Sequence, residues 1–140
     1  MSPTIKNVIA VVAGALLGGM LNSFLISISG SVIPLPEGVD PNDMESLAAE
    51  MKNFPAKNFI MPFLAHALGT LVGAFTAVKL AAKNHLNMAR IIGFFFLLGG
   101  VVAAFMIKPP MWYNIVDLLF AYLPMAFLGA KLAGVGPTKS

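Results

Sequence analysis

The stretch Pro62 to Leu80, PFLAHALGTLVGAFTAVKL, limits the fold more than any other part of the chain. At about 3.6 residues per turn, Pro62, His66, Gly69, Thr70, Gly73, Thr76 and Ala77 fall on one face of a helix, while Leu64, Leu68, Leu71, Phe75 and Val78 lie mostly elsewhere. The helix therefore has a small, polar side and an apolar side. A soluble protein would have to bury the apolar side, yet this chain is 58% hydrophobic and only 11% charged. Soluble domains carry roughly 25% charged residues, so lipid is the expected neighbour.

The mean hydropathy of +0.84 supports the same class. A bilayer crossing takes about 20 apolar residues. Spans are expected at about 5–29, 58–81, 88–107 and 113–134, in a single domain covering residues 1–140. The predicted fold class is an all-α integral membrane protein of four transmembrane helices. A secretory signal is the rival reading of the first span, but its apolar stretch is longer than the about 7–15 residues of a signal core. Small residues four apart predict close helix packing at Gly14 and Gly18, Gly19, Gly69 and Gly73, Gly99, Gly100 and Gly129. Lys108-Pro109-Pro110 should end the third span, and Trp112 and Tyr113 suit an interfacial aromatic belt.

Residues 32–57 form the one long polar connection and hold five of the six acidic residues. Asp40 reads as an N-cap, Pro41 as the first helical residue and Asp43 as its capping-box partner, with a helix over about 41–53. Met44, Leu47, Ala48, Met51 and Phe54 would give this helix an apolar side lying on the bundle or on headgroups, and a lid over a site is the alternative.

Lys6, Lys79, Lys83, Arg90, Lys131 and Lys139 fall on one side of such a topology, and Lys52, Lys57 and Lys108 on the other. The positive-inside rule then places both termini in the cytoplasm and the acidic connection outside, in an inner membrane crossed several times. The calculated pI of 9.4 is explained by this topology and by anionic headgroups, so no nucleic-acid partner is expected. The expected partners are the lipid bilayer and, through the small-residue faces, a second copy or another membrane protein.

An internal duplication is also expected. Leu16-Leu17-Gly18-Gly19 recurs as Leu97-Leu98-Gly99-Gly100, and Asn58, Ala65, Gly73 and Ala74 align without gaps on Asn114, Ala121, Gly129 and Ala130. His66 then corresponds to Tyr122. Each repeat would be a hairpin, and the two would be parallel, related by an axis along the membrane normal.

His66 and Asp117 are the ionisable residues within spans, where such groups are costly and face a bundle interior or an aqueous cavity. Asn22, Ser23, Thr70 and Tyr122 complete the candidate substrate or proton pathway, as a polar layer in the outer half of the bundle. His66 is either an interhelical tie to Asn22, Tyr122 or a carbonyl, or a proton relay or substrate contact, with metal ligation last because His85 falls at the opposite membrane face. Asp117 either pairs with Lys108 or caps the fourth helix, or it belongs to the same layer. Asp117 and Tyr122, five residues apart, point about 140° from each other on an ideal helix, so they share a partner only if Pro124 distorts that helix.

The chain has no cysteine, no HExxH and no phosphate-binding glycine loop. No catalytic residue, metal site or cofactor is expected. The leading functional expectation is transport or permeation, with an accessory subunit second and a lipid- or quinone-acting enzyme third.

Overall fold

A computed structural model describes residues 1–136. The positive-inside count included Lys139, which lies outside those residues. Among the described residues the only regular elements are helices: α1 (Pro3–Val32), α2 (Met44–Glu50), α3 (Ile60–Leu80), α4 (His85–Ile107), α5 (Met111–Phe120) and α6 (Leu123–Leu132). Short 3-10 turns at Met51–Asn53 and Ala56–Phe59 lead from α2 into α3. Four segments are long and apolar enough to cross a membrane: Pro3–Val32, Ala56–Leu80, His85–Ile107 and Met111–Leu132.

The central helix is α3, which packs against α1, α4 and α6. Its small face is buried as the periodicity predicts, with Gly69, Thr70, Gly73 and Ala77 inside and Leu64 and Leu68 exposed. Val78 departs from that division. It is buried among Ala74, Ala77, Met88 and Ile92, because a central helix has neighbours on more than one side.

Glycine allows α1 and α3 to touch backbone to backbone. A Cβ on Gly14 would strike the Gly73 carbonyl oxygen, one on Gly18 the Gly69 oxygen, and one on Gly69 would lie 2.8 Å from the Gly18 oxygen. Gly129 of α6 meets the Leu71 carbonyl in the same way, and Gly100 of α4 meets the Tyr122 ring. Gly19 and Gly99 do not share this role, since among the described residues neither has anything within 4 Å of its Cβ position. They sit one residue, about 100° of helix, away from Gly18 and Gly100, which are the glycines facing neighbours. The LLGG match of the proposed repeat therefore aligns buried Gly18 with open Gly99, and open Gly19 with buried Gly100. Ala65 and Ala121, by contrast, are both fully buried.

The fourth span is two helices. Proline has no N–H and its ring collides with the carbonyl four residues earlier, so Pro124 cannot continue a helix through Phe120. The chain leaves helical geometry at Tyr122 (φ −115°, ψ −80°), and α6 starts at Leu123.

At the far end from the termini, the connection folds over the bundle. Its N-cap is Asp43, not Asp40: Asp43 Oδ1 accepts from the Glu45 and Ser46 amides. Asp40 instead accepts from the Asn42 amide, a local turn that competes with helix formation and delays the start to Met44. Phe54, with Leu47 and Met51 beside it, packs on Phe59 and Tyr113, so this apolar side faces the bundle. Met44 remains half exposed.

At the termini end, Asn7 joins α1 to the α3–α4 link. Its Nδ2 donates to the Lys83 carbonyl at 3.0 Å, and its Oδ1 accepts from the amides of Ala82 and Lys83 at 2.8 and 3.3 Å.

Candidate functional site

His66 and Asp117 are each the seventh residue of their helices, α3 and α5, which start at the same end of the bundle. This register brings them level, and His66 Nδ1 lies 2.8 Å from Asp117 Oδ1. Two hydroxyls complete the shell of the carboxylate. Tyr113 donates to Oδ1 at 3.3 Å and Tyr122 donates to Oδ2 at 2.9 Å.

The break at Pro124 makes the Tyr122 bond available. On a continuous helix this side chain would point away from Asp117, but the change of direction at Tyr122 returns its hydroxyl to the residue five positions earlier. The Tyr122 ring also stacks on His66, with centroids 5.8 Å apart and planes 25° apart. Asp117 is only 4% exposed. An ionised carboxylate at that depth costs several kcal/mol unless donors surround it, and here three side chains supply them. A histidine Nδ1–H facing a carboxylate fixes the neutral tautomer, so Nε2 is the nitrogen left to take up or give up a proton.

Both His66 and Asp117 line a cavity of about 460 Å³ under the folded connection. Its walls are mainly apolar and include Leu47, Phe54, Phe59 and Ile107, and it also reaches Asn58 and Asn114. Exposed Ser27, Pro41 and Asn42 lie on its boundary, which connects it with the surface. Toward the termini the bundle closes around Ala10, Ala74, Ala77, Ile92 and Ala130, with the glycine contacts of α1 and α3 alongside.

The predicted pathway residues divide into two groups. His66, Asp117 and Tyr122 meet. Thr70 is fully buried, but its hydroxyl donates to the His66 carbonyl of its own helix at 2.7 Å. Asn22 packs beside Gly69, and its buried Oδ1 has no partner among the described residues. Ser23 is exposed on α1 and lies outside the cluster. Asp117 does not pair with Lys108, because it sits inside the bundle while Lys108 is an exposed helix-end residue in left-handed geometry (φ 54°). His85 lies at the opposite end, with Nδ1 3.1 Å from the Val78 carbonyl oxygen.

Sequence reading missed Tyr113, which it assigned to an aromatic belt. The available signal was its spacing of four from Asp117, which puts both on one helical face. No family model, curated protein or solved structure matches the chain. The geometry of this site is therefore the basis for a functional reading.

Proposed function

We propose that the chain is a small integral membrane transport protein and that its substrate site is the cavity bounded by His66 and Asp117. The observation carrying this reading is the cavity's one-sided form. Buried Asp117, paired with partly exposed His66, borders a space that reaches the surface at one end, while tightly packed small residues close the other. A structural tie alone would need no such space. In this reading both termini are cytoplasmic, the connection faces outward at the membrane interface, and His66 carries the proton that couples to transport. The parallel-repeat reading rests on the second and fourth spans, whose aligned Ala65 and Ala121 are both fully buried.

Exchange of His66 for glutamine tests the proposal. Glutamine keeps a donor for Asp117 and an acceptor, yet it cannot titrate near neutral pH. His66→Gln should melt within a few degrees of the parent and lose pH-dependent flux in liposomes. Unchanged flux and pH response would sink the role of His66, and absence of parental flux across a broad substrate panel would favour an accessory subunit. That second reading draws on Gly19 and Gly99, small positions whose Cβ sites have nothing within 4 Å among the described residues.

A further inference from the structure

We infer that the cavity binds an amphipathic organic cation, a protonated amine on an apolar body, and that this cation and the His66 proton exclude each other. The inference rests on the transport reading for its biological setting and on the composition of the cavity for its chemistry. Among the described residues, Asp117 is the one carboxylate lining the cavity, and no lysine or arginine lines it. One acceptor of a lining residue is also unserved among the described residues. Asn58 is 8% exposed and uses its Nδ2 on the Pro34 carbonyl at 2.9 Å, which leaves its Oδ1 buried without a partner. An unmatched buried acceptor is costly, and a small turn of the Asn58 amide toward the cavity would let a ligand N–H relieve it.

The walls fit the rest of such a ligand. Phe54, Phe59 and Tyr113 form a continuous aromatic group, with Phe59 and Tyr113 centroids 4.8 Å apart, and aromatic faces attract cations. The volume of about 460 Å³ lies within the roughly 300–1,000 Å³ of small-molecule sites.

Exchange follows from charge balance. One buried carboxylate compensates one positive charge, which is either a proton on His66 Nε2 or the ammonium of the ligand. When the ammonium enters, the Nε2 proton leaves to water and Nδ1–H stays on Asp117. Among the described residues no other charged group lines the cavity. The titratable groups facing the pair are Tyr113 on α5 and Tyr122 at the α5–α6 break. The cavity residues of α1, α4 and the connection carry none.

Calorimetry on the full chain in nanodiscs tests this with phenylbutylamine, phenylbutanol and phenylbutyrate, in two buffers of different ionisation enthalpy. The amine should bind at least about tenfold more tightly than the alcohol, as charge-assisted hydrogen bonds would require, and the carboxylate should not bind. Amine affinity should fall about tenfold per pH unit on the acid limb, with proton release approaching one per amine. Asn58→Ala should weaken the amine more than the alcohol. Asp117→Asn should abolish the preference, and if that variant does not fold, the pH series on the parent decides. Equal affinity for amine and alcohol, binding of the carboxylate, absence of proton release, or no binding of any of the three would overturn the inference. Flux that depends on His66 but carries a neutral or anionic substrate would overturn the cation while leaving transport intact. Amine binding with proton release but no flux would support the cation site and remove the transport reading.

Discussion

Adjacent glycines in α4 offer a test of the site's construction. At Gly100 an added Cβ would lie 2.6 Å from Cζ and 2.7 Å from Cε2 of Tyr122, against its hydroxyl. The ring has little room to retreat, being 2% exposed and stacked on His66. Gly100→Ala must therefore displace Tyr122 from Asp117. Overpacking costs about 1–3 kcal/mol, and losing a hydrogen bond to a charged group costs about 1.5–3 kcal/mol. Alanine's helix preference returns about 1 kcal/mol. The expected net loss is about 1.5–5 kcal/mol. Gly99→Ala meets nothing within 4 Å, so it should be neutral or stabilising by up to about 1 kcal/mol. Both variants, with Tyr122→Phe and the double variant Gly100→Ala/Tyr122→Phe, can be unfolded in mixed micelles while helicity and Trp112 fluorescence are followed. The double variant should lose less than the sum of the singles, because both act on one hydrogen bond. Equal effects at Gly99 and Gly100, or strict additivity with Tyr122→Phe, would refute the placement of Tyr122.

Two further outcomes are expected. Asn7→Ala should cost about 1–3 kcal/mol, since it removes the side chain that serves three backbone groups at the α3–α4 link, and amide exchange at Ala82 and Lys83 should accelerate. Single cysteines near Glu45 should react with an impermeant reagent on intact cells and those near His85 should not; the reverse pattern would invert the proposed orientation.

The elements were readable because their causes are local. Apolar length marks the spans, and the alternation of small and large residues on α3 marks its buried face. Even the fit of Asp117 with Tyr122 was legible as a condition on Pro124, since proline's effect on a helix depends on its own ring and missing N–H. Choices between neighbours were less visible. Gly18 and Gly19 look alike in sequence, as do Gly99 and Gly100, but only the partner helix determines which one needs to lack a side chain. Asp40 and Asp43 are both good caps, and the turn formed by Asp40 settles the choice. Asn7 and Asn58 gain their roles from backbone groups 76 and 24 residues away, a relation that no periodicity expresses. Ser23 was assigned by depth alone, which says nothing about direction around the helix axis.

The interruption at Tyr122 also bears on biogenesis. As a membrane segment, Met111–Leu132 carries Asp117 and a proline that leaves a backbone acceptor unserved, and neither is comfortable in bare lipid. An aspartate at mid-helix costs about 2.5–3.5 kcal/mol on insertion scales. α1 and α4, with mean hydropathies of 2.1 and 2.2, carry neither an acidic residue nor a mid-helix proline. During synthesis α3 is already present with His66 when the last segment leaves the ribosome. Its two ten-residue halves can then insert against that surface instead of against hydrocarbon. In the proposed membrane setting the last segment would depend on the first three for its solvent, making stable insertion and completion of the site a single event.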